Sequence, residues 1–130
     1  MPKTAKKPTR SKIVKKLDVV FSKYIRLSNA DKNGYCTCVT CNRKYHHTKI
    51  QAGHFMSRKH YSTRWLEDNV KPQCYGCNVM SQGKQFLFSK YLGDKLSDEL
   101  YNKSKEVTKF TIDELQNMIS DYSERVKKFL

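Results

Sequence analysis

Acidic side chains are scarce in the first two-thirds of this chain of 130 residues. Residues 1–93 carry 4 acidic and 19 basic residues, a net charge of +15, whereas residues 94–130 carry 8 acidic and 7 basic residues, a net charge of −1. A basic excess of this size predicts a polyanionic partner, nucleic acid before any other, that contacts residues 1–93. The alternative is a generally basic protein whose charge serves no such partner.

Apolar residues are also few, at 38% of the chain. The sequence has no run of about 18 apolar residues that could span a membrane, and its N-terminus lacks the apolar segment of a signal peptide. We therefore expect no membrane contact and a cytoplasmic protein. We also expect one small domain with a thin core, which a bound metal ion would help to hold together.

Four of the five cysteines form two matched pairs, Cys38-x-x-Cys41 and Cys74-x-x-Cys77, separated by 32 residues. Without an export signal, such pairs favour metal ligation in a reducing compartment over disulfides. Each pair can form a tight turn that directs two thiolates at one ion, and two turns complete a closed tetrahedral zinc site. Free buried cysteines are the alternative. Cys36 is predicted to be a packed thiol outside the site.

The N-terminal half is predicted to start with a helix. Apolar residues recur at spacings of three and four over residues 11–30, which indicates an amphipathic helix that a turn at residues 31–34 ends. Residues 1–12 are basic, contain two prolines and are predicted to form a disordered arm. Residues 35–50 are predicted to form a tight cysteine turn and the start of a strand, and residues 51–77 short strands with a loop.

The C-terminal part is predicted to be helical. A short helix is expected over residues 78–91, and Gly93 ends it. The tail from residue 97 is expected to form two helices, the second of which starts at a capping box of Thr111 and Glu114. The sequence therefore predicts an α+β fold, with one domain over residues 13–93 and a helical extension over residues 94–130.

The stretch QAGHFMSRKHYSTRWLEDNVKPQCYGCN, residues 51–78, contains a histidine and an Asp-Asn pair ahead of the second cysteine pair. Together with FSKYIRL and CVTC upstream, in this order and spacing, it resembles the NinG/Rap family of lambdoid phage recombination proteins over residues 21–91. The resemblance implies an HNH-type ββα-metal core held together by zinc. It also implies a metal-dependent, structure-selective DNA endonuclease that acts on branched intermediates, such as Holliday junctions or D-loops, in the cytoplasm of a bacterial host.

The same resemblance assigns roles to His54, Asn69 and Asn78. His54 would be the general base on water, Asn69 would hold the histidine's segment through backbone hydrogen bonds, and Asn78 would ligate Mg²⁺ or Mn²⁺ through its carbonyl oxygen. The commoner HNH pattern has an acid where Gly53 stands and a histidine where Asn78 stands. The cation needs a further protein ligand, for which the candidates are His60, Glu67 and Asp68.

Basic residues near these positions are predicted to bind DNA phosphates: Arg58, Lys59, Arg64, Lys71 and Lys84. His60 could equally contact a phosphate. The structural alternatives are a satisfied histidine at position 54, a turn-forming asparagine at 69 and a helix N-cap at 78.

Two other functions are compatible with the sequence. One is a zinc-ribbon-like protein that binds DNA or RNA without an active site, and the pairing of His54 with Asn69 argues against it. The other is an adaptor that docks on recombination proteins through its tail, which could also serve as a homodimer interface.

Overall fold

The structure of the protein, a computed structural model, describes residues 7–130. Helix α1 spans Arg10–Ser28, and the side chain of its N-cap residue, Thr9, accepts a hydrogen bond from the backbone amide of Lys12 at 3.2 Å. The predicted disordered arm is therefore wrong for residues 10–12, which are helical because Thr9 caps them. Residues 1–6 of that arm lie outside the described residues.

A turn and two antiparallel hairpins follow α1. The Asp31 carboxylate ends the helix region by accepting hydrogen bonds from two backbone amides at 2.9 Å each. The strands are β1 (Tyr35–Thr37), β2 (Lys44–His46), β3 (Gln51–His54) and β4 (Val70–Gln73), with β1 paired to β2 and β3 paired to β4.

The segment between β3 and β4 contains the short helix α2 (Tyr61–Arg64) and a 3-10 turn, Glu67–Asn69. After β4 the chain forms a wide helical turn, Gly76–Met80. Three helices then follow: α3 (Gln85–Leu92), α4 (Asp94–Ser104) and α5 (Ile112–Lys127). Within residues 7–130, no helix combines the length and the apolar character that crossing a membrane requires.

The single helix predicted over residues 78–91 is wrong, because a turn interrupts it at residues 81–84. Gln82, Gly83 and Lys84 all have positive φ, at 54°, 89° and 44°. Gly83 tolerates this conformation, and its backbone amide donates to the carbonyl of Cys77 at 2.8 Å. The turn is therefore fastened to the second cysteine pair, and α3 starts in a new direction.

The main core forms where α1 packs against α5. Phe21 meets Tyr122 edge to face at 5.0 Å. The capping box predicted at Thr111 and Glu114 is confirmed. The α+β class is confirmed as well. The domain division at residue 94 stays a prediction, although α1 and α5 lie on opposite sides of it and share this core. Its buried members are Ile13, Val14, Leu17, Phe21, Ile25, Trp65, Val70, Leu115, Ile119 and Tyr122.

Candidate functional site

The two hairpins bring the four paired cysteines together. Cys38 and Cys41 lie in the turn between β1 and β2, and Cys74 and Cys77 lie where β4 runs into the wide helical turn. Their four sulfurs lie within 4.8 Å of one another, and the sulfurs of Cys41 and Cys74 are 3.8 Å apart. Zinc–sulfur bonds of about 2.3 Å in a tetrahedron put sulfurs about 3.8 Å apart. The four thiols therefore fit a closed zinc site.

The surroundings of these thiols shift their pKa values in opposite directions. Burial raises the pKa of Cys38, but hydrogen bonds from the Thr40 hydroxyl and the backbone amide of Cys74 outweigh it and bring the pKa to about 6. Burial raises the pKa of Cys41 to about 12, and the neighbouring cysteines add to the rise. A cation would let all four thiols ionise together, which is the chemistry of a structural zinc site.

Cys36 stands outside this group. It is fully buried, and its thiol donates to the backbone carbonyl of Arg26 at 3.1 Å. Burial raises the pKa of this thiol. The prediction of a packed thiol is confirmed.

A cleft of about 950 Å³ opens beside the cysteine group, between α1, β3 and the wide helical turn. His54 and Asn78 both line it. Among the described residues, none with a carboxylate side chain lines this cleft. Its polar lining residues are Ser22, Arg26, Gln51, His54, Ser57, Arg58, Asn78, Gln82 and Gln85.

His54 ends β3, opposite Val70. Its Nε2 lies 2.9 Å from the backbone carbonyl oxygen of Arg64. Because a carbonyl can only accept, Nε2 carries the proton, and the lone pair of neutral His54 is on Nδ1. Burial lowers the pKa of His54 to about 4, and the nearby Arg58 guanidinium contributes in the same direction. His54 is therefore neutral near pH 7, with the Nδ1 lone pair available, and its low pKa makes it a weaker base than an ordinary histidine.

Asn69 is fully buried and ties the segment after His54 to the segment that carries Arg64. Its Oδ1 accepts from the backbone amide of Met56 at 2.7 Å, and its Nδ2 donates to the carbonyls of Met56 and Thr63 at 3.0 Å each. Asn69 thus makes backbone hydrogen bonds of the kind that the resemblance implies for the asparagine of the motif.

Asn78 lies on the wide helical turn and faces β3. Its Nδ2 donates to Oε1 of Gln51 at 2.8 Å. With the amide nitrogen committed to this contact, the carbonyl oxygen is the side-chain atom that can serve as a ligand. The contact also joins the helical turn to the strand that carries His54.

Gly53 has a packing explanation. A Cβ at this position would lie 2.0 Å from Oε1 of Gln73. Gln73 is fully buried, and its Nε2 donates to the Thr40 hydroxyl at 3.1 Å and to the carbonyl of Gly83 at 2.7 Å. The acid of the commoner HNH pattern is therefore excluded at position 53 by the Gln73 amide, which links the first cysteine turn to the turn at residues 81–84.

The three further ligands suggested by the sequence do not line the cleft with Asn78. His60 precedes α2, and Asp68 is exposed. Glu67 is paired with Arg125 at 3.4 Å. The structure thus does not bring His60, Glu67 or Asp68 together with the other candidate residues.

Arg64 is occupied within the protein. Its side chain is only 14% exposed, and its Nε and Nη2 donate to the Asp18 carboxylate at 3.1 and 2.6 Å. Its Nη1 donates to the backbone carbonyl of Arg58 at 2.8 Å. Trp65 donates to the same Asp18 carboxylate at 2.9 Å. The expected phosphate contact stays a prediction, and the structure shows this side chain already engaged with Asp18, where it helps to fix the segment whose carbonyl His54 contacts.

Arg58 and Lys59 are exposed, as a phosphate contact requires. Arg58 lines the cleft and also a second groove of about 660 Å³ along the start of α1. Lys71 and Lys84 line neither of these two surfaces: Lys71 pairs with Gly53 across the hairpin, and Lys84 precedes α3. The groove contains five basic residues, Arg10, Lys15, Arg58, Lys59 and Arg64.

Sequence reasoning missed Arg26 as a member of the cleft. Its Nη1 donates to the carbonyl of His47 at 2.8 Å, and burial lowers its pKa. Ser22 and Arg26 are four residues apart on α1 and face the cleft together. That spacing marks one face of a helix, but no local signal tells which polar face meets a cleft.

The chain matches the model of a known protein family. The model of the bacteriophage lambda NinG protein family matches residues 1–129, which include the arm and the tail that the motifs cover only weakly. Searches of curated proteins and of solved structures find no match. With this match over nearly its whole length, and with its four clustered cysteines, the chain belongs to the bacteriophage lambda NinG protein family.

Proposed function

We propose that this protein is a metal-dependent DNA endonuclease of the HNH type, which cuts branched recombination intermediates such as Holliday junctions or D-loops. The observation that carries the proposal is the meeting of His54 and Asn78 in one cleft of a strongly basic surface. Around them, β3, β4 and the helical turn Gly76–Met80 follow in the order of a ββα-metal motif.

The proton chemistry of the proposal depends on His54. Its Nε2 is held by the Arg64 carbonyl, so Nδ1 is the atom that would take a proton from the attacking water. Its lowered pKa keeps the ring neutral at physiological pH but weakens it as a base, so the proposal requires bound DNA and cation to change the surroundings of the ring. Asn69 acts as a positioning residue, because it fastens the chain directly after His54.

The cleft by itself is a poor site for a divalent cation, so the proposal requires the cation to arrive with the DNA. Asn78, through Oδ1, is the side chain that would hold Mg²⁺ or Mn²⁺. Because no carboxylate of the described residues lines the cleft, DNA phosphates would supply the negative ligands that such ions prefer. The cation would neutralise charge that develops on the scissile phosphate.

Positive charge would hold the flanking DNA. Arg26 and Arg58 line the cleft, and Arg58 continues into the groove with Lys59, Lys15 and Arg10. Together these side chains form a track of cations that leads from His54 along α1. Phosphate contacts of this kind position DNA without selecting a sequence.

A second candidate function is DNA binding without cleavage. The observation that favours it is the absence of a carboxylate from the cleft lining within the described chain, together with the distant positions of His60, Glu67 and Asp68. The adaptor function has less support, because the apolar face of α5 is packed against α1 in the protein's own core.

The test is a nicking assay on end-labelled linear, D-loop and four-way DNA, with Mg²⁺, with Mn²⁺ or with no added divalent ion. His54→Ala is compared with the wild type and with His46→Ala, which removes a histidine from β2 outside the cleft. Cleavage that needs the cation and disappears only in His54→Ala, with DNA binding retained, supports the endonuclease. Binding without cleavage under every condition supports the second candidate.

A further inference from the structure

Exposed apolar side chains are concentrated in one segment of the chain, residues 75–91, part of which lines the cleft. Six of the thirteen large hydrophobic side chains exposed in the described chain fall within residues 75–91. Clusters of this kind mark interaction sites more often than isolated exposed residues do. The six are Tyr75, Val79, Met80, Phe86, Leu87 and Tyr91.

Three of them line the cleft or directly follow a residue that lines it. Val79 lines the cleft directly, and Met80 follows it on the same helical turn. Phe86 follows Gln85, which also lines the cleft. Met80 and Phe86 are each 71% exposed. We call Val79, Met80 and Phe86 the apolar rim.

The apolar rim has a rigid support. The turn between its two parts is held by Gly83, whose carbonyl accepts from the buried Gln73 amide at 2.7 Å. Phe88, two residues after Phe86, is fully buried and packs on Phe55 with ring centroids 5.5 Å apart. Phe55 directly follows His54. The rim is thereby fixed relative to the residue proposed to carry the chemistry.

The charges around the rim favour a polyanion. Residues 75–93 contain Lys84 and Lys90 and no acidic residue. The Lys90 ammonium lies 5.2 Å from the centre of the Phe86 ring. Aromatic side chains flanked by cations are the combination that binds unpaired nucleic acid, since the bases stack on the ring and the phosphates meet the charge.

We infer that the apolar rim binds unpaired bases of DNA beside the cleft. The inference rests on the proposed function and deepens it, because it names the surface that would distinguish branched from fully paired DNA. In a duplex the bases are stacked on each other and hidden from such side chains. At a branch or a displaced strand they are open to stacking and to apolar contact.

A second copy of the chain is a poorer occupant of the rim. A two-fold dimer would place the same surface on both sides of the contact. Lys84 and Lys90 of the two copies would then face like charges, with no acidic residue in the segment to offset them.

The test measures binding of zinc-loaded full-length protein to two DNAs of equal length, one fully paired and one with a central unpaired bubble. Ca²⁺ replaces Mg²⁺ so that cleavage does not interfere, and a fluorescent adenine analogue in the bubble reports stacking. The variants are Phe86→Ala and the double variant Met80→Ser with Phe86→Ala. We expect about tenfold weaker binding to the bubble and a lost fluorescence change, with duplex binding unchanged.

Tyr101→Ala is the matched control. Tyr101 is 52% exposed on α4 and has a lysine four residues later, Lys105, 4.2 Å from its ring centre, as Phe86 has Lys90. It does not line the cleft. The control should bind both DNAs as the wild type does. Zinc content and circular dichroism check that each variant is folded.

Three results would overturn the inference. They are an unchanged bubble preference in the rim variants, an equal loss on both DNAs, and a dimer in sedimentation that the rim variants convert to a monomer. The endonuclease proposal can fail separately. If the wild type prefers the bubble through its rim but never cleaves with Mg²⁺ or Mn²⁺, the result contradicts the endonuclease proposal and still supports the rim. Wild type that cleaves branched DNA with the same preference as its rim variants leaves the endonuclease standing.

Discussion

The cysteine group and the cleft lie side by side and differ in completeness. The cysteine group contains four converging sulfurs, which could satisfy a zinc ion with no position left open. The cleft offers one imidazole, amide groups and two arginines, and the residues described there include no carboxylate. A closed set of four ligands is typical of a structural metal site. The cysteine group therefore fits a role in stability, and under the proposed function the cleft is the region that would carry the chemistry.

Breaking the cysteine group should have the largest effect. Structural zinc contributes about 10 kcal/mol or more of binding free energy in small domains, and a domain of this size has only about 5–15 kcal/mol of stability. Cys74→Ser should therefore release zinc and unfold the protein, as measured by metal content and circular dichroism. Cys36→Ser, a change in the buried cysteine outside the group, should keep zinc and fold. Equal zinc loss in both variants would contradict the assignment.

Asn69→Ala should have the next largest effect, because Asn69 ties the segment after His54 in the cleft to the segment that carries Arg64. The variant removes three hydrogen bonds and leaves backbone groups of Met56 and Thr63 without a partner in a buried place. We expect a loss of about 3 kcal/mol in the free energy of unfolding, measured with urea, and lower kcat with zinc still bound. Asn117→Ala, on the exposed face of α5, should change stability by less than about 0.5 kcal/mol. An Asn69→Ala protein as stable as the wild type would contradict the role described for Asn69.

Acid should lower the stability of the fold through His54. The pKa of His54 is about 4 in the fold and ordinarily 6.5, so the unfolded chain takes up the proton first as pH falls. Its contribution to stability is present above pH 6.5 and is lost between pH 6.5 and about 4, in total about 3 kcal/mol. Urea unfolding at pH 7 and pH 5 should show about 2 kcal/mol of this loss in the wild type and a smaller loss in His54→Gln. Identical pH dependence in both proteins would contradict it.

The smallest effect on stability should come from Arg58. Its side chain is 63% exposed and its Asp18 contact is 4.0 Å long. Arg58→Ala should weaken DNA binding and lower the slope of log affinity against log salt by about 1, with the melting temperature unchanged. Arg64→Ala should instead lower the melting temperature and leave the salt slope of DNA binding unchanged. It breaks the short pair with Asp18 and loosens the segment whose carbonyl His54 contacts. Similar effects of the two variants on binding would contradict this division.

Local patterns in the sequence predicted the features that depend on short spacings. The helix α1 follows from its apolar period, the start of α5 follows from the Thr111–Glu114 capping box, and the cysteine group follows from two matched pairs. Each of these signals lies within a few residues. The exception is the meeting of the two cysteine pairs, which was predicted from the tetrahedral coordination that zinc prefers.

The features that sequence reasoning missed depend on contacts between distant segments. Gly53 is required by a buried Gln73 that lies 20 positions later, and no short motif announces such an overlap. Arg64 looked like a DNA contact because nothing near it in sequence marks Asp18 as its partner. Arg26 enters the cleft only because α1 packs against β3.

The comparison of the two regions is tested most directly by cleavage of a four-way junction by protein whose zinc content is measured in the same sample. The account predicts one zinc per chain in both wild type and His54→Ala, cleavage by the wild type only when Mg²⁺ or Mn²⁺ is added, and no cleavage by His54→Ala. Cleavage that continues in His54→Ala, or zinc that is lost with this substitution, would contradict the division between a structural cysteine group and a catalytic cleft.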